Sequence, residues 1–121
     1  TGIYIQYAQV RANKLISTLN VGEQSISETS SKLDSLDRKL IIALANIEFY
    51  LELSVKNSEP HHLANYLYEI SNAFNAFYQA SNIKNIEDKI KKNQKILITR
   101  LFIKYSHLVM SCLGIKPVEK M

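Results

Sequence analysis

An all-α fold is what these 121 residues predict, and three features carry the expectation. Three glycines and two prolines leave few turn-formers for a many-stranded sheet. Apolar residues recur at intervals of three and four in one segment after another, the period of an amphipathic helix. A hydrophobic share of 46% against 21% charged suits a chain that buries a core, and the length suits a single domain over 1–121. No apolar run approaches the roughly 18 uncharged residues that span a bilayer, and no signal-peptide layout opens the chain. A cytoplasmic protein with no membrane partner is expected.

The first helix is expected from about Ile3 to Leu19, with Ile5, Ala8, Ala12, Leu15 and Leu19 facing a core and Gly22 ending it. Residues 23–35, rich in Ser, Glu and Thr, offer little to bury and read as a mobile loop. Asp34 or Ser35 can cap a second helix carrying Leu36, Leu40, Ala43, Leu44 and Ile47. Asn46 marks a break or a kink, after which a shifted pattern runs through Phe49, Tyr50, Leu53 and Val55. Ser58 is the expected N-cap of the next helix, with Pro60 in its first turn and Leu63, Leu67, Ile70, Phe74 and Phe77 inward. Residues 82–93 are polar, with at most a short element at Ile86–Ile90. A last helix is expected from about Gln94 to Leu113, with Leu97, Leu101, Tyr105, Leu108 and Cys112 inward. Gly114 and Pro117 follow as stops.

Reactive groups do not assemble into a catalytic set. His61 and His62 are adjacent, so on a helix they point about 100° apart and cannot both ligate one metal, and with no acidic or thiol partner nearby they read as surface residues at a helix start. Asp34 with Asp37, and Glu48 with Glu52, have no nucleophile or histidine in phase. Phosphate loops, zinc spacings and hydrolase serine motifs are absent from the sequence. Cys112, the single cysteine, falls in an apolar pattern and reads as a buried, inert thiol. A binding protein is therefore expected, with no catalytic residues, metal or cofactor of its own.

The net charge of +4 is unevenly spread. From Lys84 to Lys104 seven basic residues face only Glu87 and Asp88, whereas residues 28–59 carry six acids and four bases. A second stripe on the first helix, Tyr4, Tyr7, Arg11 and Lys14, lies about 100° from the apolar one. Flat rings stack on unpaired bases while cations meet phosphates, so this stripe is the best binding candidate. Tyr78, one residue past the core position Phe77, repeats the offset. Tyrosines that merely seal the edge of a bundle would show the same spacing, which leaves open a helical protein-interaction or structural domain.

"TGIYIQYAQVRANKLI", "EPHHLANYLYEISNAFNAFYQA" and "TRLFIKYSHLVMSCLGIKPVEKM" together resemble the C-terminal anticodon-binding domain, of the DALR type, of arginyl-tRNA synthetases. The likeness runs in order over nearly the whole chain, and the ending "LGIKPVEKM" is its most specific piece. It implies a bundle of about five helices that binds the anticodon loop of arginine tRNA. By that resemblance Tyr4, Tyr7, Arg11 and Tyr78 lie against the anticodon and Met121 folds back towards it; Lys14 joins the face by its helical spacing. Some members carry an aromatic four residues after the position of Tyr78; Asn82 stands there here. Tyr66 serves as a reference position outside the face. Gln9 replaces the common His, and Ile3 the common Pro. ATP with magnesium would belong to a catalytic domain carrying HIGH- and KMSK-like motifs, neither of which occurs in these residues. The chain is thus expected to be an inactive, monomeric piece of a longer ligase, partnered by arginine tRNA and by the rest of that enzyme.

Overall fold

The computed structural model describes residues 2–19 and 32–116. Gly22 and Met121, and most of the expected loop, lie outside the described residues. Five α-helices follow in order among them: α1 (Gly2–Leu19), α2 (Ser35–Ala45), α3 (Ile47–Asn57), α4 (His61–Ser81) and α5 (Lys89–Cys112). A short 3-10 turn, Ile83–Asn85, links the last two. The architecture is an α-helical bundle, as the sequence predicts.

Helix α4 is the hub, packing against each of the other four. All five of its expected inward residues are buried, as are Tyr66 and Ser71. Phe74 stacks on Phe102 of α5 with ring centroids 4.4 Å apart, tying the two longest helices together. On α1, Ala8 and Ala12 are fully buried, and such small residues let the α1 axis approach α4 and α5 closely. Asp34 caps α2 in a reciprocal capping box with Asp37. Asn46 interrupts α2 and α3 as expected, although Tyr50 still donates to its carbonyl, so the joint is a kink rather than a loop.

Several local expectations are corrected. Ser58 does not cap α4; it takes the left-handed conformation (φ 52°) that ends α3, with Glu59 N–H reaching back to the Ser54 carbonyl. Pro60 then precedes the first helical residue, His61. On α3 the packed residues are Ile47, Tyr50 and Leu51, whereas Phe49 and Val55 are exposed. Helix α5 begins five residues earlier than expected, because the Asp88 carboxylate caps the amides of Ile90 and Lys91. Its buried face is Lys95, Ile98, Thr99, Phe102, Ser106 and Val109, rotated by one residue from the expected stripe, so Leu108 and Cys112 are exposed. The polar members of that face are satisfied in place: Thr99 and Ser106 hydroxyls donate to the carbonyls of Lys95 and Ile103.

Tyr66 is also misjudged as a neutral reference. It is fully buried, its hydroxyl donates to the Leu44 carbonyl at 2.9 Å, and burial pushes that hydroxyl's pKa far above its ordinary value.

Candidate nucleic-acid interface

The stripe on α1 and Tyr78 on α4 meet where these two helices pack. Arg11 is the centre of the contact. Its guanidinium donates to Asn75 Oδ1 at 2.9 Å and lies 5.3 Å from the centroid of the Tyr78 ring. The Asn75 amide turns in the other direction and donates to the Tyr4 main-chain carbonyl at 3.3 Å. Tyr4, Arg11, Asn75 and Tyr78 therefore form one chain of contacts, from residues up to 74 positions apart.

The rings that would receive a base stand open. Tyr4 is 52% and Tyr7 42% exposed, and among the described residues no hydrogen bond engages either hydroxyl. Lys14 is exposed one helical turn beyond Arg11. On the α4 side the face continues into a cleft of about 360 Å³, lined by Leu15, Tyr78, Gln79, Asn82, Ile83 and Lys84. Asn82, in the left-handed conformation (φ 42°), ends α4 at the rim of that cleft, and its side chain accepts from Asn85. Asn82 thus has a structural duty that an aromatic side chain would not serve as cheaply.

Two residues of this constellation escape the sequence reading. Asn75 stands three residues before Tyr78 and so on the same face of α4, a spacing that could have found it. Lys84 could be found only as one of the seven basic residues. That basic segment is itself not uniform: Lys84, Lys89, Lys91 and Lys104 are exposed, while Lys95 is buried. Its ammonium lies 2.6 Å from both Asp34 Oδ2 and Asp37 Oδ1, so it neutralises carboxylates inside the bundle and adds nothing to an anion-binding surface.

These contacts offer rings, a guanidinium and surface ammonium groups in one place, the chemistry that holds an unpaired RNA loop. The model of the DALR anticodon-binding domain matches residues 5–121. The chain belongs to the DALR anticodon-binding domain family. As a whole, this DALR domain is 36% identical to a segment of the arginine-tRNA ligase of Actinobacillus succinogenes and 34% identical to one in the ligase of Pasteurella multocida. It spans about a fifth of the length of those relatives, 21% and 22%. Its fold is that of a segment of the Thermus thermophilus arginyl-tRNA synthetase, with a TM-score of 0.88 at 23% identity. The Plasmodium falciparum arginyl-tRNA synthetase matches at a TM-score of 0.83 and 28% identity, again over all of this chain and 21% of that one. No described helix of the DALR domain is long and apolar enough to cross a membrane.

Proposed function

We propose that this domain binds the anticodon loop of arginine tRNA as the C-terminal domain of an arginyl-tRNA synthetase. Tyr4, Tyr7, Arg11, Lys14, Tyr78 and Asn82 form its reading face. Met121 joins them by resemblance alone. The observation that carries the reading is the Arg11 bridge: one guanidinium held between Asn75 and the Tyr78 ring, beside two open tyrosines.

In this reading the domain selects tRNA and the remaining four-fifths of the enzyme performs the ligation with ATP and magnesium. The domain alone activates no arginine, and the enzyme is a cytoplasmic monomer. Arg11 and the exposed lysines meet phosphates, while the rings accept unstacked bases at roughly 1–3 kcal/mol each. By resemblance the base read is the central cytosine of the arginine anticodons. Titration of the intact synthetase with an isolated arginine anticodon stem-loop should show binding that falls when the central cytosine is replaced. Equal affinity for both loops would contradict the proposal.

A further inference from the structure

The start of α4 holds a second constellation, unrelated to the RNA face and about 25 Å from Tyr78 along the helix axis. Glu59 Oε2 lies 3.3 Å from His62 Nε2 and 3.6 Å from His61 Nε2, and the ligand atoms of all three residues fall within 4.8 Å of one another. This overturns the expectation that the adjacent histidines diverge and have no acidic partner. Pro60 precedes His61 with a helical conformation, and in this first turn the two imidazoles tilt onto each other, centroids 4.1 Å apart, on one carboxylate.

We propose that Glu59, His61 and His62 form a site for a zinc-type divalent ion. Three observations carry it. First, a tetrahedral ion with bonds of about 2.0–2.1 Å holds its ligand atoms about 3.3–3.4 Å apart, close to the spacings of 3.3 and 3.6 Å here. Second, His62 Nε2 is enclosed yet makes no hydrogen bond, although a carboxylate oxygen stands beside it. An N–H aimed at that oxygen would make one, whereas ligands of a shared ion point at a spot between them, off one another's axes. Third, two imidazoles and a carboxylate suit zinc and its first-row neighbours rather than calcium or magnesium, with a fourth position left to water. The ion would fasten the turn at Ser58–Pro60 to the first turn of α4, joining the end of α3 to the hub helix.

The test is calorimetric titration of the chelator-treated 121-residue chain with zinc, together with its thermal melting with and without the ion. His61 and Glu59 are both more than half exposed, so His61→Ala and Glu59→Gln leave the bundle intact. One zinc per chain should bind, raising the melting temperature, and both variants should lose affinity by about tenfold or more and lose the thermal shift. Cys112→Ser, which removes the exposed thiol, should bind as the parent does. Binding no tighter than millimolar, binding unchanged in His61→Ala, or binding lost in Cys112→Ser would each overturn the proposal.

Discussion

Arg11 has two partners that ask for different parts of its side chain. Asn75 takes a directional N–H, and the Tyr78 ring takes the flat face of the guanidinium. Lysine keeps the charge but has neither the fork nor the plane, so the exchange is not conservative at such a position. In the proposed reading, Arg11→Ala in the intact enzyme should lower kcat/KM for arginine tRNA about tenfold or more, and Arg11→Lys should recover only part of it. Circular dichroism and aminoacylation kinetics check both halves. Full activity of Arg11→Ala would make the bridge a packing contact only. Tyr66 is the opposite kind of tyrosine, sealed in the core with its hydroxyl on the Leu44 carbonyl, and its loss would report on stability rather than on RNA. Its spacing marks the difference: Tyr66 stands three residues after Leu63 and four before Ile70, within the inward stripe of α4, whereas Tyr7 has Tyr4 and Arg11 at those intervals. The Leu44 carbonyl that receives its hydroxyl is what one sequence does not display.

Between elements, the decisive contact is the clasp of Lys95 on α5 with Asp34 and Asp37 at the start of α2. Burial alone would raise the Asp34 pKa, but the hydrogen bond and charge of Lys95, with nearby amides, hold it below its ordinary value. Burial alone would lower that of Lys95, and the two carboxylates instead raise it. The stability Asp34 adds is therefore present above the usual carboxylate value and lost as pH falls through its lower folded value. That of Lys95 is present below the usual lysine value and lost only as pH rises through its higher folded one. Asp37 is the buried partner, so Asp37→Ala should cost about 3 kcal/mol, whereas half-exposed Asp34→Ala should cost about 1 kcal/mol, the loss of a cap. Denaturant unfolding of the two variants tests the order. An equal cost would mean that the buried pair contributes little. The same clasp explains which helices were legible. The inward face of α4 is marked by Leu63, Leu67, Ile70, Phe74 and Phe77, all apolar, so its period is plain in the sequence. The inward face of α5 includes Lys95, Thr99 and Ser106, whose polarity is answered by partners on α2 or within the helix, so the apolar pattern beside it misled by one residue. The end of α3 was misread for a related reason: Ser58 adopts a left-handed turn usually given to glycine.

Over the whole molecule, α4 joins the core to the candidate interface. Its inner face holds the bundle together, and its outer edge brings Asn75, Tyr78 and Asn82 to the α1 stripe. Positive charge surrounds that edge from Lys14 and Lys84. In the proposed reading, counterion release should make tRNA binding by the intact synthetase fall steeply as salt is raised, and Lys14→Ala should weaken all RNA similarly while lowering the salt slope by about 1. Affinity independent of salt would remove the electrostatic part of the face. Discrimination at the anticodon is the sharpest measure of whether the face reads RNA. Aminoacylation by the intact enzyme is compared for arginine tRNA and for the same tRNA with its central cytosine replaced, in the parent and in Tyr7→Ala and Tyr78→Ala. Both variants should lose most of the parent's preference for the cytosine while their helical content stays unchanged. Discrimination kept at the parent's level in folded variants would contradict the proposed reading, and the tyrosines would then be no more than the edge of a bundle.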